Sequence, residues 1–409
     1  MRILHCLAQY PDRTGSGIYC RNLISNLAQN AELEQALIYG RNPEQAAMDF
    51  GIPSFPLLFD TPERPFPLPG MSDQMPYRST VYHKMDQEML AAWRAGFRER
   101  LETAIASFKP DLIIAHHLWI LSSLCLETGL PVLGICHGTD LRQARQNPEF
   151  CASEVAGLER ILGVVALTRE QVPELMQHCG IPEEKIMIGG GAYDSSIFYS
   201  AKKEEKAARP RDGICFLYSG KMVESKGIFE LLEAFISLPK DKNYHLELIG
   251  HTAPDMLPRI NEYIRKDDRI HLRDAESQQA LADDLRLCDV FVFSSYYEGL
   301  GLMALEAMAA GLRLVTNDLP ALRSFLGDDI LAQPQISVLP MPELEGIDQI
   351  KEEAREEHIA RLREAMLEQA KFVLDGQNCN EEFMQKIQQF SWKSLSDRII
   401  NFAMNLYKV

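Results

Sequence analysis

Short apolar runs alternate with amphipathic stretches along most of the chain. RILHCLA (2–8), EQALIYG (34–40), DLIIAH (111–116), PVLGIC (131–136), GVVALT (163–168) and KIMIGG (185–190) each read as a buried strand. Helical patterns fall between them at 18–29, 82–108 and 170–178. A second series comprises ICFLYSG (214–220), YHLELIG (244–250), RIHLRD (269–274), DVFVFSS (289–295) and LRLVTN (312–317), with helices predicted at 227–238, 276–287 and 302–310. This alternation predicts parallel sheets covered by helices on both faces. The charged segment 201–213, poor in apolar residues and containing Pro210, reads as a linker. The expectation is therefore an α/β protein of two Rossmann-like doubly wound domains, 1–198 and 199–391. A last stripe of Trp392, Leu395, Ile399, Phe402 and Leu406 predicts an amphipathic helix over 392–409, expected to pack back on the first domain. Ligands of doubly wound sheets bind beyond the carboxyl ends of the strands, which places the expected site in the interdomain cleft.

Two regions break the rhythm. Residues 53–77 contain seven prolines, enough to exclude helix or central strand over most of the stretch. Its Phe, Leu, Met and Tyr residues point to an ordered loop near the cleft, a candidate acceptor contact. Residues 343–374, rich in Glu, Lys and Arg, read as a solvated surface helix.

Bulk composition narrows the function classes. The chain has 409 residues, 46% of them hydrophobic and 24% charged, ordinary for a soluble two-domain protein. Net charge is −16 and neither half is basic, which argues against nucleic acid as a main partner and gives no support to polybasic membrane docking. Nine cysteines, an odd number with no C-x-x-C pair, suggest neither a disulfide framework nor a zinc site. The opening MRILHCLAQYPDR fits a first strand better than a signal peptide, and no apolar stretch reaches the length of a membrane span. A cytoplasmic protein with no transmembrane segment is expected; peripheral membrane contact stays open.

Candidate chemistry concentrates at three strand ends. In SSYYEGLGLMALEAMAAG (294–311), Glu298 falls in the loop after a strand and Glu306 about one turn inside the following helix. Between them, the amides of Gly299, Leu300, Gly301 and Leu302 would open that helix with unpaired N–H groups and its positive dipole end. Such a start attracts phosphate, and carboxylates beside it can accept hydrogen bonds from sugar hydroxyls. In FLYSGKMVESKGIFELLEAF (216–235), Lys221 and Lys226 stand at another strand-to-helix junction and can converge on one diphosphate. In the first half, RTGSGIYCRNL (13–23) places Gly15, Ser16 and Gly17 between the first strand and a helix, a short glycine turn without the full dinucleotide fingerprint. PVLGICHGTDL sets His137 at a strand's carboxyl end, with Thr139 and Asp140 as weaker candidates. His116 and His117 follow another strand, where packing is the plainer role.

The segments SGKMVESKG and EGLGLMALEAMAAG, with the strand LELIG between them, resemble the family 4 retaining glycosyltransferases of the GT-B fold. The resemblance runs through most of 1–327. It implies a transferase that takes a sugar from a nucleoside-diphosphate sugar. Glu298 and the amides of Gly299, Leu300, Gly301 and Leu302 would hold donor sugar and phosphates, Glu306 the ribose hydroxyls, and Lys221 and Lys226 the diphosphate. His137 would lie beside the donor sugar, and Gly15, Ser16 and Gly17 would face donor phosphates and acceptor. Lys221 stands where the family more often has Arg, so a point contact replaces a fork. The run GGGAYD (189–194) departs from the family's Asn-Gly-Val-Asp and reads only as a hinge. No D-x-D pattern is present, so no metal and no cofactor beyond the nucleotide-sugar co-substrate are expected. The partners are that donor and a hydroxyl acceptor, its identity open. A GT-B phosphorylase, a nucleotide-sugar epimerase and a noncatalytic sugar-nucleotide sensor are the alternatives.

Overall fold

A computed structural model describes residues 1–201, 213–274, 276–377 and 379–407. The chain divides into two compact units, 1–190 with 392–409, and 191–391. The first division falls at Gly190, which adopts φ +73°, and not at residue 198. The linker expected over 201–213 lies almost wholly outside the described residues.

In the first unit, seven strands form one parallel sheet: β1 (Arg2–Leu7), β2 (Glu34–Arg41), β3 (Ser54–Leu58), β6 (Leu112–His116), β7 (Val132–Cys136), β8 (Gly163–Ala166) and β9 (Ile186–Ile188). The order is β3-β2-β1-β6-β7-β8-β9, with the two short strands β4 (Pro69–Gly70) and β5 (Thr80–Val81) paired separately. β1, β6, β7 and β8 are buried almost throughout, as continuous apolar runs covered on both faces must be. β3 was not expected inside the proline-rich stretch. It forms because Pro56 occupies an edge strand, where a missing N–H breaks no second ladder. The rest of that stretch is ordered around Asn42. This fully buried side chain donates to Arg78 O (2.8 Å) and accepts from Leu68 N (2.7 Å).

The long helix predicted from residue 82 starts later, at Gln87–Phe108. Asp86 caps it by accepting from Met89 N at 2.8 Å, and residues 82–84 form a separate single turn. The C-terminal helix Trp392–Tyr407 belongs to the first unit. Leu406 and Phe402 approach Gly163 of β8, and Trp392 meets the Tyr19 ring edge-on at 4.8 Å.

In the second unit, β10 (Ile214–Ser219), β11 (Tyr244–Ile249), β12 (Ile270–Arg273), β13 (Val290–Phe293), β14 (Arg313–Asn317) and β15 (Ile336–Leu339) form a parallel sheet of order β12-β11-β10-β13-β14-β15. The reversal of direction falls between β10 and β13, the switch point at which such sheets gather ligands. The charged stretch 343–374 is corrected by the structure. A small hairpin (Leu344–Glu345 with Gln349–Ile350) precedes a helix that begins only at Glu352–Leu374. That helix is no free solvated rod, because His358, Leu362, Ala365, Met366 and Ala370 are buried in the core it shares with β14 and β15. Its Arg355 binds Glu230 (2.7 Å) and Glu233 (2.8 Å) of the helix Ile228–Ile236.

Trp392 is only 6% exposed, so its truncation should open a large cavity in the first unit. Trp392→Ala is expected to lower the stability of this unit by about 3–5 kcal/mol in urea denaturation. A loss below about 1 kcal/mol would show that the terminal helix is peripheral.

Candidate functional site

The strand ends of β10 and β13 supply two consecutive loops that lock onto each other. After β10 the chain passes Gly220 and Lys221, makes a tight turn at Glu224–Lys226, and enters the helix Ile228–Ile236 through Gly227. Gly227 has φ +63°, and a Cβ there would lie 2.3 Å from Ser294 O just past β13. Only glycine permits that approach. The contact continues in hydrogen bonds: Ser294 Oγ donates to Lys226 O at 2.8 Å and Tyr296 N to Ser225 O at 3.1 Å. Asn317 at the end of β14 donates its Nδ2 to Ser294 O and Ser295 O, both at 3.0 Å.

This lattice delivers Lys226 and Glu298 to one point. Lys226 Nζ lies 2.8 Å from Glu298 Oε1 and donates to Tyr297 O at 2.9 Å; Ser295 Oγ donates to the same Glu298 oxygen at 2.7 Å. Both charged side chains keep about a fifth of their surface exposed, at 23% and 20%. An ammonium has three donors, so one N–H of Lys226 remains for a ligand. Beside the pair, the helix Leu302–Ala309 opens at Gly301, with φ +77° and no side-chain cap. Gly299 has open space around it and Leu302 is exposed. The first amides of that helix are therefore free to meet an anion.

Glu306 stands one turn further in and is half-buried. Loss of hydration raises its carboxyl to about 7, opposed by a hydrogen bond from Gln278. Lys221 is exposed, and its carbonyl accepts from Tyr218 OH at 2.8 Å. The structure thus brings Lys226 and Glu298 together; Gly299, Leu300, Gly301, Leu302 and Glu306 follow Glu298 in the same loop and helix, and Lys221 stands earlier in the loop that carries Lys226. Sequence reasoning missed Ser294, Ser295 and Asn317, which hold the loops. The polar pair Ser294–Ser295 directly after four buried apolar residues was the available signal.

In the first unit, Gly15, Ser16 and Gly17 are the opening residues of the helix Gly15–Leu27, capped by Thr14, which accepts from Gly17 N at 3.0 Å. A Cβ at Gly17 would lie 2.8 Å from Asp12 N, which is a packing reason for that glycine; Gly15 is open. Ser16 is buried, with its hydroxyl 3.5 Å from Gln9 Oε1. His137 follows β7 and lies in a histidine cluster: its ring is nearly parallel to His116 at 5.6 Å, and its Nε2 is 3.4 Å from His116 Nδ1. Burial first, then the neighbouring His117 and His116, hold its pKa well below the usual imidazole value. It is neutral at pH 7. His117 adopts φ +74°, rare for a side-chain-bearing residue, and is buried beside His137. Asp140 accepts from Leu118 N at 2.9 Å and is buried, a local structural role. Asp194 caps a turn by accepting from Ser196 N at 2.9 Å.

These two sheets and their loops define a two-domain α/β protein with an uncapped helix start in its second unit. The family model described as Glycosyltransferase Family 4 matches residues 14–189, and that described as Glycosyl transferases group 1 matches residues 200–335. The chain belongs to this glycosyltransferase family and has the GT-B fold. It is 25% identical over 368 residues to the MMP alpha-(1->4)-mannosyltransferase of Mycolicibacterium hassiacum, covering 80% of this chain and 84% of that protein. It covers smaller shares of other relatives' length. Among solved structures it resembles sucrose-phosphate synthase from Thermosynechococcus elongatus (TM-score 0.62, 18% identity, 100% of both chains). Anabaena HepE in complex with UDP gives a TM-score of 0.61 at 14% identity, again over 100% of both chains. No helix among the described residues is long and apolar enough to cross a membrane.

Proposed function

We propose that the chain is a retaining glycosyltransferase that moves a sugar from a nucleoside-diphosphate sugar to a hydroxyl acceptor without a catalytic metal ion. The observation that carries this reading is the Lys226–Glu298 pair set beside the uncapped start of the helix Leu302–Ala309. As the bond from the anomeric carbon to the phosphate oxygen breaks, negative charge grows on the departing diphosphate. The free N–H of Lys226 and the amides of Gly299, Leu300, Gly301 and Leu302 are fixed donors for that charge, and the exposed ammonium of Lys221 adds a mobile one, the role a cation fills elsewhere. Glu298, anchored by Lys226 and Ser295, accepts from donor-sugar hydroxyls. Glu306 accepts from the ribose. Arg273 at the end of β12 is already held by Asp284 and Glu247, so its side chain is occupied and backbone near Arg273 and Asp274 meets the base.

Glu298 is engaged with its neighbours and is not a free nucleophile. The acceptor oxygen then attacks on the face the phosphate leaves, and its proton passes to a departing phosphate oxygen. In the first unit, neutral His137 contributes a hydrogen bond to the donor sugar, and the turn of Gly15, Ser16 and Gly17 contributes backbone contacts. The mannosyltransferase relative makes an activated hexose the first donor to try.

Lys226→Ala is expected to lower the transfer rate by about 10²–10³, the scale of losing one preorganised electrostatic group. Nucleoside diphosphate release measured with donor and acceptor tests it; near-normal turnover would discard the diphosphate role, and conversion of the donor to an isomeric nucleotide-sugar without diphosphate release would favour an epimerase. A ligand that hydrogen-bonds the ionised carboxyl lowers its pKa, so binding must release a proton near the free value of about 7. Nucleoside diphosphate affinity by calorimetry is therefore expected to strengthen as pH rises from 6 to 8, and Glu306→Gln to flatten that profile. An unchanged profile in the variant would remove the ribose assignment.

A further inference from the structure

The register of the first sheet lines up a row of nitrogen donors that the transfer reaction does not use. His5 of β1 pairs with Ile114 of β6 and with Leu37 of β2. Side chains alternate along a strand, so His116 and Gln35, two residues from those partners, lie on the same face as His5. The helix Gly15–Leu27 covers that face and brings in Cys20. One ligand atom from each of His5, Cys20 and His116 lies within 4.8 Å of the other two, and all three residues are at most 1% exposed.

The second nitrogen of each ring is already oriented. His5 Nε2 meets Gln35 Oε1 at 3.0 Å, and Gln35 is fixed in turn by donating to Ile24 O at 3.1 Å. His116 Nδ1 meets His137 Nε2 at 3.4 Å. What remains is His5 Nδ1 and His116 Nε2, both buried and without a hydrogen-bond partner. A Gln oxygen accepts, so Nε2 of His5 carries the proton and its Nδ1 presents a lone pair. Two orphaned imidazole nitrogens beside a thiol, each ring held from behind, is the arrangement that orients metal-ligating histidines.

We propose that His5, Cys20 and His116 form a structural site for one thiophilic d¹⁰ cation, Zn²⁺ or Cu⁺, inside the first unit. The N₂S donor set excludes Mg²⁺ and Ca²⁺, which require oxygen ligands, and suits both d¹⁰ ions. Bond lengths of about 2.0–2.3 Å would draw the three donors inward by about 1 Å, within the reach of side-chain rotation. As the ion enters, Cys20 loses its thiol proton to solvent and binds as thiolate, so uptake releases one proton. This ion is separate from the diphosphate chemistry and adds a structural metal where the sequence suggested none.

The reduced full-length chain, equilibrated anaerobically for hours, tests the site. Co²⁺ is expected to give a thiolate charge-transfer band that saturates at one ion per chain and is erased by Zn²⁺. Cu⁺ uptake, read by competition with a chromophoric chelator, separates the two ions. Cys20→Ala and His5→Gln are expected to abolish the band while keeping the metal-free circular dichroism spectrum. Gln35→Leu is expected to weaken affinity by about 10–100-fold, as loss of an outer-shell partner does. No uptake of any of the three ions by the wild-type chain, or uptake unchanged in the Cys20 and His5 variants, would overturn the proposal. The wild-type measurement stands even where a variant fails to fold.

Discussion

The hold of Ser294 on the turn at Gly227 is the constraint on which the second unit's site depends. A glycine is needed because the carbonyl of Ser294 occupies the space of a Cβ, and Ser294 Oγ closes the contact from the other side by donating to Lys226 O. Remove this contact and the loops after β10 and β13 are no longer in register with each other. Lys226 and Glu298 are 72 residues apart in sequence and would have no reason to meet. With it, the charge pair, two serines and Asn317 form a hydrogen-bonded platform beside the uncapped helix start at Gly301.

The arrangement is economical in charge. The chain as a whole carries −16, yet the platform presents a lysine and a positive helix end to an anion. Glu298 offsets part of the lysine's charge, while its Oε1, shared between Lys226 and Ser295, aims the ammonium, so the helix start carries the rest of the attraction. Partial exclusion from water strengthens each of these contacts. It also raises the carboxyl of Glu306, whose ionisation then becomes coupled to whatever binds beside it.

Much of the fold was legible because buried parallel strands are continuous apolar runs, and each of the eleven runs read as strands forms one. The misses have physical causes. β3 was hidden by Pro56, which an edge strand tolerates, and the onset of the helix Glu352–Leu374 was hidden by charge that is uniform across the hairpin and the helix. Among candidate site residues, Lys226, Glu298 and the glycines stand out in the sequence through helix-start chemistry, and the structure brings Lys226 and Glu298 together. Ser294, Ser295 and Asn317 do not stand out: the one signal, two serines directly after an apolar strand, is shared with ordinary loops and does not by itself mark a scaffold. The histidine row was opaque for a different reason: His5 and His116 become neighbours only through the pairing of β1 and β6.

The central claim is that the platform after β10 and β13 holds the diphosphate of the donor. A crystal structure of the chain with a nucleoside diphosphate tests it most directly. The phosphates are expected on the amides of Gly299, Leu300, Gly301 and Leu302 and on the Lys226 ammonium, with the ribose at Glu306. Phosphates bound elsewhere, with Lys226 and Glu298 untouched, would contradict it.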